Sequence, residues 1–400
     1  MIDFEIPPEV EAARKRARED AEKLFRPISR YYDEHEHESA DDLMRILWQR
    51  NISGRGFPGV GGGRMGPEAV LLFEETFRGD AGLALSAPGP GLAGAAITTS
   101  ATPEQRERFL KRFTEGEPKW GCMAITEPGC GSDTAAIQTT AVRDGDEWVL
   151  NGEKMFASKA KKALDSGGII VVWATVDKSA GRAGIKPFVV EAGTQGARVE
   201  KVERKLGIRA EETCVLVLDN CRIPYDNILG SPEVIDKTKT EGFKRAMATF
   251  DFTRPFVAAM ALGVGRAALD FVKETFQEEG VEIRYGLPRH KLSSVERDVM
   301  DMESNIKAAE LLAMRAVWML TQRQRNDLQA SMAKTKAGLA VTRVTQKAVE
   351  LLGPLGYSRK NLVEKWMRDS KINDIFEGTG QINTLIVARR ILGYTREQLK

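Results

Sequence analysis

Apolar residues recur at helical spacing toward both ends of this chain and at every second position in its middle, a pattern that predicts two helical regions flanking a β domain. Residues 9–25 are rich in Ala, Glu, Lys and Arg, which are strong helix formers, and residues 41–48 place Leu43, Ile46 and Leu47 on one face. Seven glycines and a proline between Gly54 and Gly66 break the pattern, so a loop is expected there. Helix resumes over 67–77 with Val70, Leu71, Phe73 and Phe77. A Thr102 N-cap followed by Pro103 opens another. Between them, residues 83–97 are rich in Ala and Gly and include Pro88-Gly89-Pro90-Gly91; such small residues permit either tight helix packing or a roomy substrate pocket.

Around Trp120 the period changes to two. Residues 147–150 and 154–157 flank Asn151-Gly152, the strongest two-residue hairpin signal in the chain. Further strands are expected over 168–176, 187–191, 197–203 and 214–218, and short strands separated by turn residues make a sandwich or barrel. From residue 237 the helical period returns with Met247, Phe250, Val257, Met260, Val264, Ala268 and Phe271; runs over 292–320, 331–352 and 382–392 complete an antiparallel four-helix bundle. The expected fold class is α+β multidomain, with an N-terminal helical domain (1–118), a central β-barrel or sandwich domain (119–234) and a C-terminal four-helix bundle (235–400).

Composition narrows the function classes. With 42% hydrophobic and 29% charged residues the chain has an ordinary globular composition, and Lys+Arg at 59 against Asp+Glu at 57 implies neither a nucleic-acid nor a membrane-surface partner. No targeting segment is legible at the N-terminus and no uninterrupted apolar run of spanning length is expected, so a cytoplasmic enzyme is the default. Cys122, Cys130, Cys214 and Cys221 lack CxxC spacing and nearby histidines, which predicts buried thiols and no metal. His35 and His37 lie in an acidic run that reads as a solvated helix end. Lys159, Lys161 and Lys162 read as a solvated loop or as contacts for phosphate.

The candidate base is Glu377. It follows the apolar pair Ile375-Phe376 and precedes Gly378-Thr379-Gly380, so a carboxylate stands between a hydrophobic flank and a turn whose backbone can approach a ligand closely. Apolar surroundings would raise its pKa toward the working pH of a general base.

Thr126-Glu127-Pro128-Gly129-Cys130-Gly131-Ser132-Asp133, ahead of the β domain, resembles the signature of the acyl-CoA dehydrogenase family of flavoproteins. The same order continues with Asn151-Gly152-x-Lys154-Met155, Lys205-Leu206-Gly207-Ile208-Arg209, Asp219-x-x-Arg222-Ile223-Pro224, Phe250-Asp251-x-Thr253-Arg254-Pro255 and Phe376-Glu377-Gly378-Thr379, so the resemblance spans roughly residues 100–395.

The resemblance implies FAD as cofactor, an acyl-CoA substrate and an electron-transfer flavoprotein as acceptor. It places Thr126, Ser132, Phe156, Ser158, Thr379 and Gln381 at FAD, with Phe156 and Ser158 standing where the family commonly has Trp and Thr. It places Asp251, Arg254 and Gly378 at the CoA substrate and Glu377 as the base that takes the α-proton while the β-hydrogen leaves as hydride. Stabilisation of the enolate would come from the Glu377 N–H and a ribityl hydroxyl of FAD. Some relatives carry their glutamate at the position of Thr253. Two departures bear on assembly. Glu282 stands where relatives often have an Arg that reaches a neighbouring subunit's FAD, with Arg284 as its substitute; Glu350 and Pro354 flank Gly353 in a stretch that otherwise meets the partner's FAD. A homotetramer or dimer is expected, a heteromeric assembly stays open, and a flavin oxidase or monooxygenase on the same fold, or a partner subunit, are the alternatives.

Overall fold

The computed structural model describes residues 6–53, 66–234, 241–395 and 398, so the loop expected over 54–66 lies outside them except for Gly66. The N-terminal third is helical: α1 (Pro8–Asp20) continues through a π-turn (Ala21–Phe25) into α2 (Arg26–Glu34), followed by α3 (Asp41–Ile52), α4 (Glu68–Gly79), α5 (Ala81–Leu85), α6 (Gly91–Ser100) and α7 (Pro103–Leu110). Thr102 caps α7 as expected, in a full capping box with Gln105. Some of the small residues over 83–97 allow close packing: a Cβ on Gly94 would meet Pro90 at 2.7 Å, and one on Gly121 would meet the Pro90 carbonyl at 2.3 Å.

The middle of the chain forms one curled sheet of β1 (Gly121–Ala124), β2 (Thr140–Asp144), β3 (Glu147–Ser158), β4 (Ile169–Thr175), β5 (Ile185–Glu191), β6 (Ala197–Val202) and β7 (Thr213–Pro224), with α8 (Ala160–Asp165) after β3. Strand order is β1-β4-β2-β3-β7-β6, and β5 pairs with β4. The hairpin expected at Asn151-Gly152 is not there. β3 runs straight through those residues, and the turn falls at Gly145-Asp146, where Asp144 pairs with Glu147 and Gly145 takes φ 61°. Asn151-Gly152 instead faces a bulge in β7: pairing jumps from Leu150↔Cys221 to Gly152↔Leu218, and the Asn220 N–H donates to Asn151 Oδ1 at 2.7 Å. A glycine is needed at 152 because a Cβ would meet Thr139 Oγ1 at 2.4 Å. A second irregularity sits between Lys154 and Ala157. Phe156 takes φ 56° there and its ring is turned outward, 59% exposed.

The C-terminal third contains α9 (Glu241–Glu278), α10 (Ser294–Thr321), α11 (Asp327–Leu352), the short α12 (Pro354–Tyr357), α13 (Val363–Ser370) and α14 (Gly380–Leu392). α9 packs against α10 and α11 as expected, and also along α4. Val70 and Phe77 of α4 share one buried cluster with Leu262, Val299, Val341 and Trp366, so the bundle recruits a helix from the first third of the chain. The close approach depends on Gly263, where a Cβ would meet the Glu74 carbonyl at 2.4 Å. Among the described residues one helical stretch, Ala246–Glu278, contains an 18-residue window of mean hydropathy 1.5, but charged residues interrupt the stretch and 78% of the window is buried, which is how a core helix reads.

Pro255 lies inside α9 and has no N–H to give the Asp251 carbonyl. Asn326 Nδ2 donates to that carbonyl instead, at 3.2 Å. A fully buried charge cluster ties the three regions together. Lys365 Nζ lies 2.7 Å from Asp80 Oδ2 and 2.6 Å from Asp369 Oδ2; Ser29 also donates to Asp80, Asp80 Oδ1 caps α5 at Leu83 N, and Asp369 Oδ1 accepts from Ile208 N at 2.5 Å. All four cysteines are buried and free, and among the described residues no group of His, Cys, Asp and Glu is arranged to hold a metal.

Candidate active site

Glu377 stands in a short connection between a 3-10 turn (Lys371–Asp374) and α14. Its backbone takes φ 53° and Gly378 takes φ 97°, a left-handed pair that a glutamate adopts only when its surroundings impose it, at a cost of about 1 kcal/mol. Three side-chain donors impose it. Thr253 Oγ1 on α9 donates to Glu377 Oε2 at 2.5 Å, and the Gly378 carbonyl accepts from Lys334 Nζ at 2.8 Å and from Asn383 Nδ2 at 2.9 Å. Thr379 then caps α14 by accepting from Ile382 N at 3.2 Å.

Glu377 is partly buried among charged groups. Burial pushes the Glu377 carboxyl above its ordinary range, opposed by the Thr253 hydrogen bond and by the charges of Lys334 and Arg254. The flank responsible differs from the expected one: Ile375 is half exposed and Phe376 partly buried, so the burial comes from the turn's seat against α9 and α11 rather than from its sequence neighbours. Lys334 is buried, and its ammonium is pulled down to about 8 by desolvation. Arg254 is buried as well, and NH1 donates to Asp251 Oδ1 at 2.7 Å while Nε has no partner. Burial pushes Asp251 up to about 6 against the pull of Arg254. Arg254 NH2 would lie 3.6 Å from a Cβ on Gly378, which places the guanidinium at the same turn.

Asp251, Thr253, Arg254, Glu377, Gly378 and Thr379 therefore converge, and Gln381 lies exposed in the first turn of α14. Arg284 and Gly353 do not join them within one chain. Gly353 ends α11, roughly 28 Å along that helix from Lys334, and Arg284 follows the far end of α9, roughly 35–40 Å from Thr253. The Arg284 guanidinium is held by both oxygens of Glu296, each at 2.7 Å, and Glu350 is an exposed partner of Lys347.

Phe156 and Ser158 lie at the bulged end of β3, and Thr126 is joined to it by its carbonyl, which accepts from Met155 N at 2.8 Å; Ser132 lies further along the same loop. Glu127, next to Thr126, is a buried anchor: it accepts from Lys154 Nζ at 2.7 Å, from Gln138 N at 2.5 Å and from Thr139 N at 3.0 Å. This fixes the loop while Thr126 is left half-buried and Ser132 and the Phe156 ring are exposed. The lysines expected in a solvated loop are largely built in: Lys159 starts α8 in a left-handed conformation, Lys161 pairs with Asp165, and Lys162 lies over the Trp120 ring.

Sequence reasoning missed Lys334, Asn383 and Asn326. The signal for Lys334 was present, since it sits among Ala330, Ala333 and Ala337 on the buried face of α11, where a lysine is out of place unless it has a partner inside.

Comparison with known proteins covers nearly the whole chain. Family models described as the N-terminal, middle and C-terminal domains of acyl-CoA dehydrogenase match residues 7–117, 122–221 and 240–392. The mitochondrial short-chain specific acyl-CoA dehydrogenase of Bos taurus is 35% identical over 398 residues, 97% of this chain and 91% of that one. The structure of butyryl-CoA dehydrogenase from Megasphaera elsdenii is similar with a TM-score of 0.85 at 32% identity, over 98% of this chain and 100% of the other. A chain solved in work on the electron transferring flavoprotein of Acidaminococcus fermentans gives the same TM-score, 0.85, at 32% identity and the same coverage, 98% and 100%.

Proposed function

The chain belongs to the acyl-CoA dehydrogenase family of FAD-dependent oxidoreductases, and from that premise we propose that it desaturates a short acyl-CoA thioester between Cα and Cβ, with Glu377 as the base. The observation that carries this reading is the carboxylate itself: Glu377 is held in a left-handed turn by donors from three helices, raised in pKa by burial and still flanked by two cations.

An α-proton beside a thioester is too weakly acidic for a carboxylate in water, so the site has to lower that barrier. Burial makes Glu377 a stronger base, and the Glu377 N–H is the chain's own donor toward the thioester oxygen, where charge develops as the proton leaves. The Cα–H proton passes to Glu377, the Cβ hydrogen leaves with its electron pair, and a double bond forms between the two carbons. Asp251, the less buried member of its pair with Arg254, faces the CoA moiety, and Arg254 holds it in place.

The residues around β3 fit FAD. An aromatic ring turned outward from a left-handed backbone position offers a face for a flat ring system, and the Thr126, Ser132 and Ser158 hydroxyls of the same strand and the loop before it supply donors for its polar edge. FAD, when bound, supplies the hydride acceptor; Phe156 would hold the ring and Ser158 its edge. Electrons then leave to an electron-transfer flavoprotein. The short acyl class rests on the relatives named above. Anaerobic titration of the flavin-loaded protein with butyryl-, octanoyl- and palmitoyl-CoA tests it: bleaching of the flavin absorbance by the four-carbon thioester at the lowest concentration is expected, and bleaching only by the longer chains would overturn the short-chain assignment.

A further inference from the structure

Outside the base itself, the buried side chain whose chemistry the reading above leaves unused is Lys334. It lies on α11 with almost no exposure, and its ammonium donates to one backbone carbonyl, that of Gly378, at 2.8 Å and stands 6.0 Å from the centre of the Phe376 ring. Burying a cation to satisfy one neutral carbonyl is unfavourable, because the hydration it gives up far exceeds one hydrogen bond. Asn383 Nδ2 already donates to the same carbonyl at 2.9 Å, so the carbonyl does not need the lysine. What the lysine adds is charge, next to the one group on this turn that gains from it.

We propose that Lys334 is a positioning residue for the base: it pins the Gly378 carbonyl so that the left-handed Glu377-Gly378 turn persists, and it sets a positive charge beside the Glu377 carboxylate so that a desolvated base stays ionised. The inference rests on the reading of Glu377 as the base.

The groups that face Glu377 can be enumerated by element. α9 brings the Thr253 hydroxyl and the Arg254 guanidinium, whose charge is engaged with Asp251 at 2.7 Å. α11 brings Lys334, whose field also reaches Asp374 in the 3-10 turn. α14 brings the neutral Asn383. Since Arg254 is shared with Asp251 and Asn383 is uncharged, Lys334 is the cation whose charge no carboxylate hydrogen-bonded to it cancels. Its attraction and that of Arg254 oppose the desolvation that pushes Glu377 up.

The test compares kcat/KM against pH for wild type, Lys334→Met, Lys334→Gln, Lys334→Arg and Asn383→Ala, each loaded with FAD, with Glu377→Gln as the anchor. Removing the charge should let the base bind its proton more tightly, moving the acidic limb to higher pH by about half a unit or more in both neutral variants. Lys334→Arg should keep the limb within about 0.2 unit of wild type, since the charge remains. Asn383→Ala, which loosens the same carbonyl without altering charge, should slow turnover with the limb unmoved. An unmoved limb in the Met and Gln variants, or an equal shift in Asn383→Ala, would overturn the proposal. So would a result in which neither neutral variant holds flavin while the Arg variant does, which would make the lysine structural only. Turnover surviving in Glu377→Gln would instead sink the base assignment, whatever the Lys334 variants do.

Discussion

Thr253 Oγ1 and Glu377 Oε2 meet at 2.5 Å, a direct hydrogen bond that joins α9 to the turn before α14. The hydroxyl donates to the charged carboxylate and so favours its ionised form. In Thr253→Val the donor is gone and the shape kept. The expected outcome is an acidic limb of kcat/KM displaced to higher pH by about one unit, with kcat on the plateau reduced less than roughly tenfold, read from a pH–rate profile.

Glu377→Gln should abolish turnover while FAD stays bound, because the amide keeps the size and shape of the side chain and leaves the neighbouring flavin candidates Thr379 and Gln381 in place. Activity retained at even roughly a tenth of wild type, about 1.4 kcal/mol of transition-state stabilisation, would refute the assignment.

The same substitution should stabilise the fold. A carboxyl whose pKa is raised by folding binds its proton more tightly in the native state than in the unfolded chain. It therefore lowers stability as pH climbs from the ordinary carboxylate range through the raised value. Glu377→Gln removes that loss, so its melting temperature should exceed that of wild type at pH 8 and approach it at pH 4. A gain of about 1 kcal/mol at the upper pH is the scale expected of a functional residue kept against stability.

Phe156→Ala removes an exposed ring and should leave the melting temperature of the apoprotein within about 1 °C, because surface side chains contribute little to the fold. FAD affinity should fall roughly tenfold, the share of a lost aromatic contact. Equilibrium dialysis against FAD reads it directly.

Lys365→Met strands Asp80 and Asp369 together without their shared cation, in a site that water does not reach. Breaking a buried ion pair from one side costs about 3–5 kcal/mol, so the variant should unfold at markedly lower denaturant concentration or fail to accumulate. A shift below about 1 kcal/mol in urea titration would show that the cluster is hydrated.

The helical ends of the chain were legible because their apolar residues repeat for many turns, as in α9, α10 and α11, and because Thr102-Pro103 carries a local start signal. The hairpin was misplaced for a physical reason. Asn151-Gly152 has the residues a tight turn wants, but a bulge wants the same ones, and only the partner strand, with Asn220 opposite, decides between them. The turn that exists, at Gly145-Asp146, carries the same kind of residues in a more polar stretch. β1 escaped notice because Gly121–Ala124 is buried on both faces and shows no alternation. The Ala/Gly segment permitted two readings, and composition alone does not choose between them; the contact of Gly94 with Pro90 shows close packing at one of its positions. Around the candidate base, Glu377 and Thr253 announced themselves through neighbouring residues, whereas Lys334 and Asn383 reach the turn from helices whose sequence gives no hint of what they face. Helix periodicity states that a side chain points inward; it does not state at what.

Asp80 and Lys365 lie far apart in the order in which the chain is made. During synthesis the aspartate leaves the ribosome early, with Ser29 and the start of α5 as its neighbours, and the ammonium that neutralises it follows only when α13 emerges. Until then a carboxylate sits where the native protein is dry, and it draws water into the seam between the first helices and everything they will later cover. Asp80 has its buried cation only once α13 is in place, so the seam around the first helices is complete only with the last third of the chain.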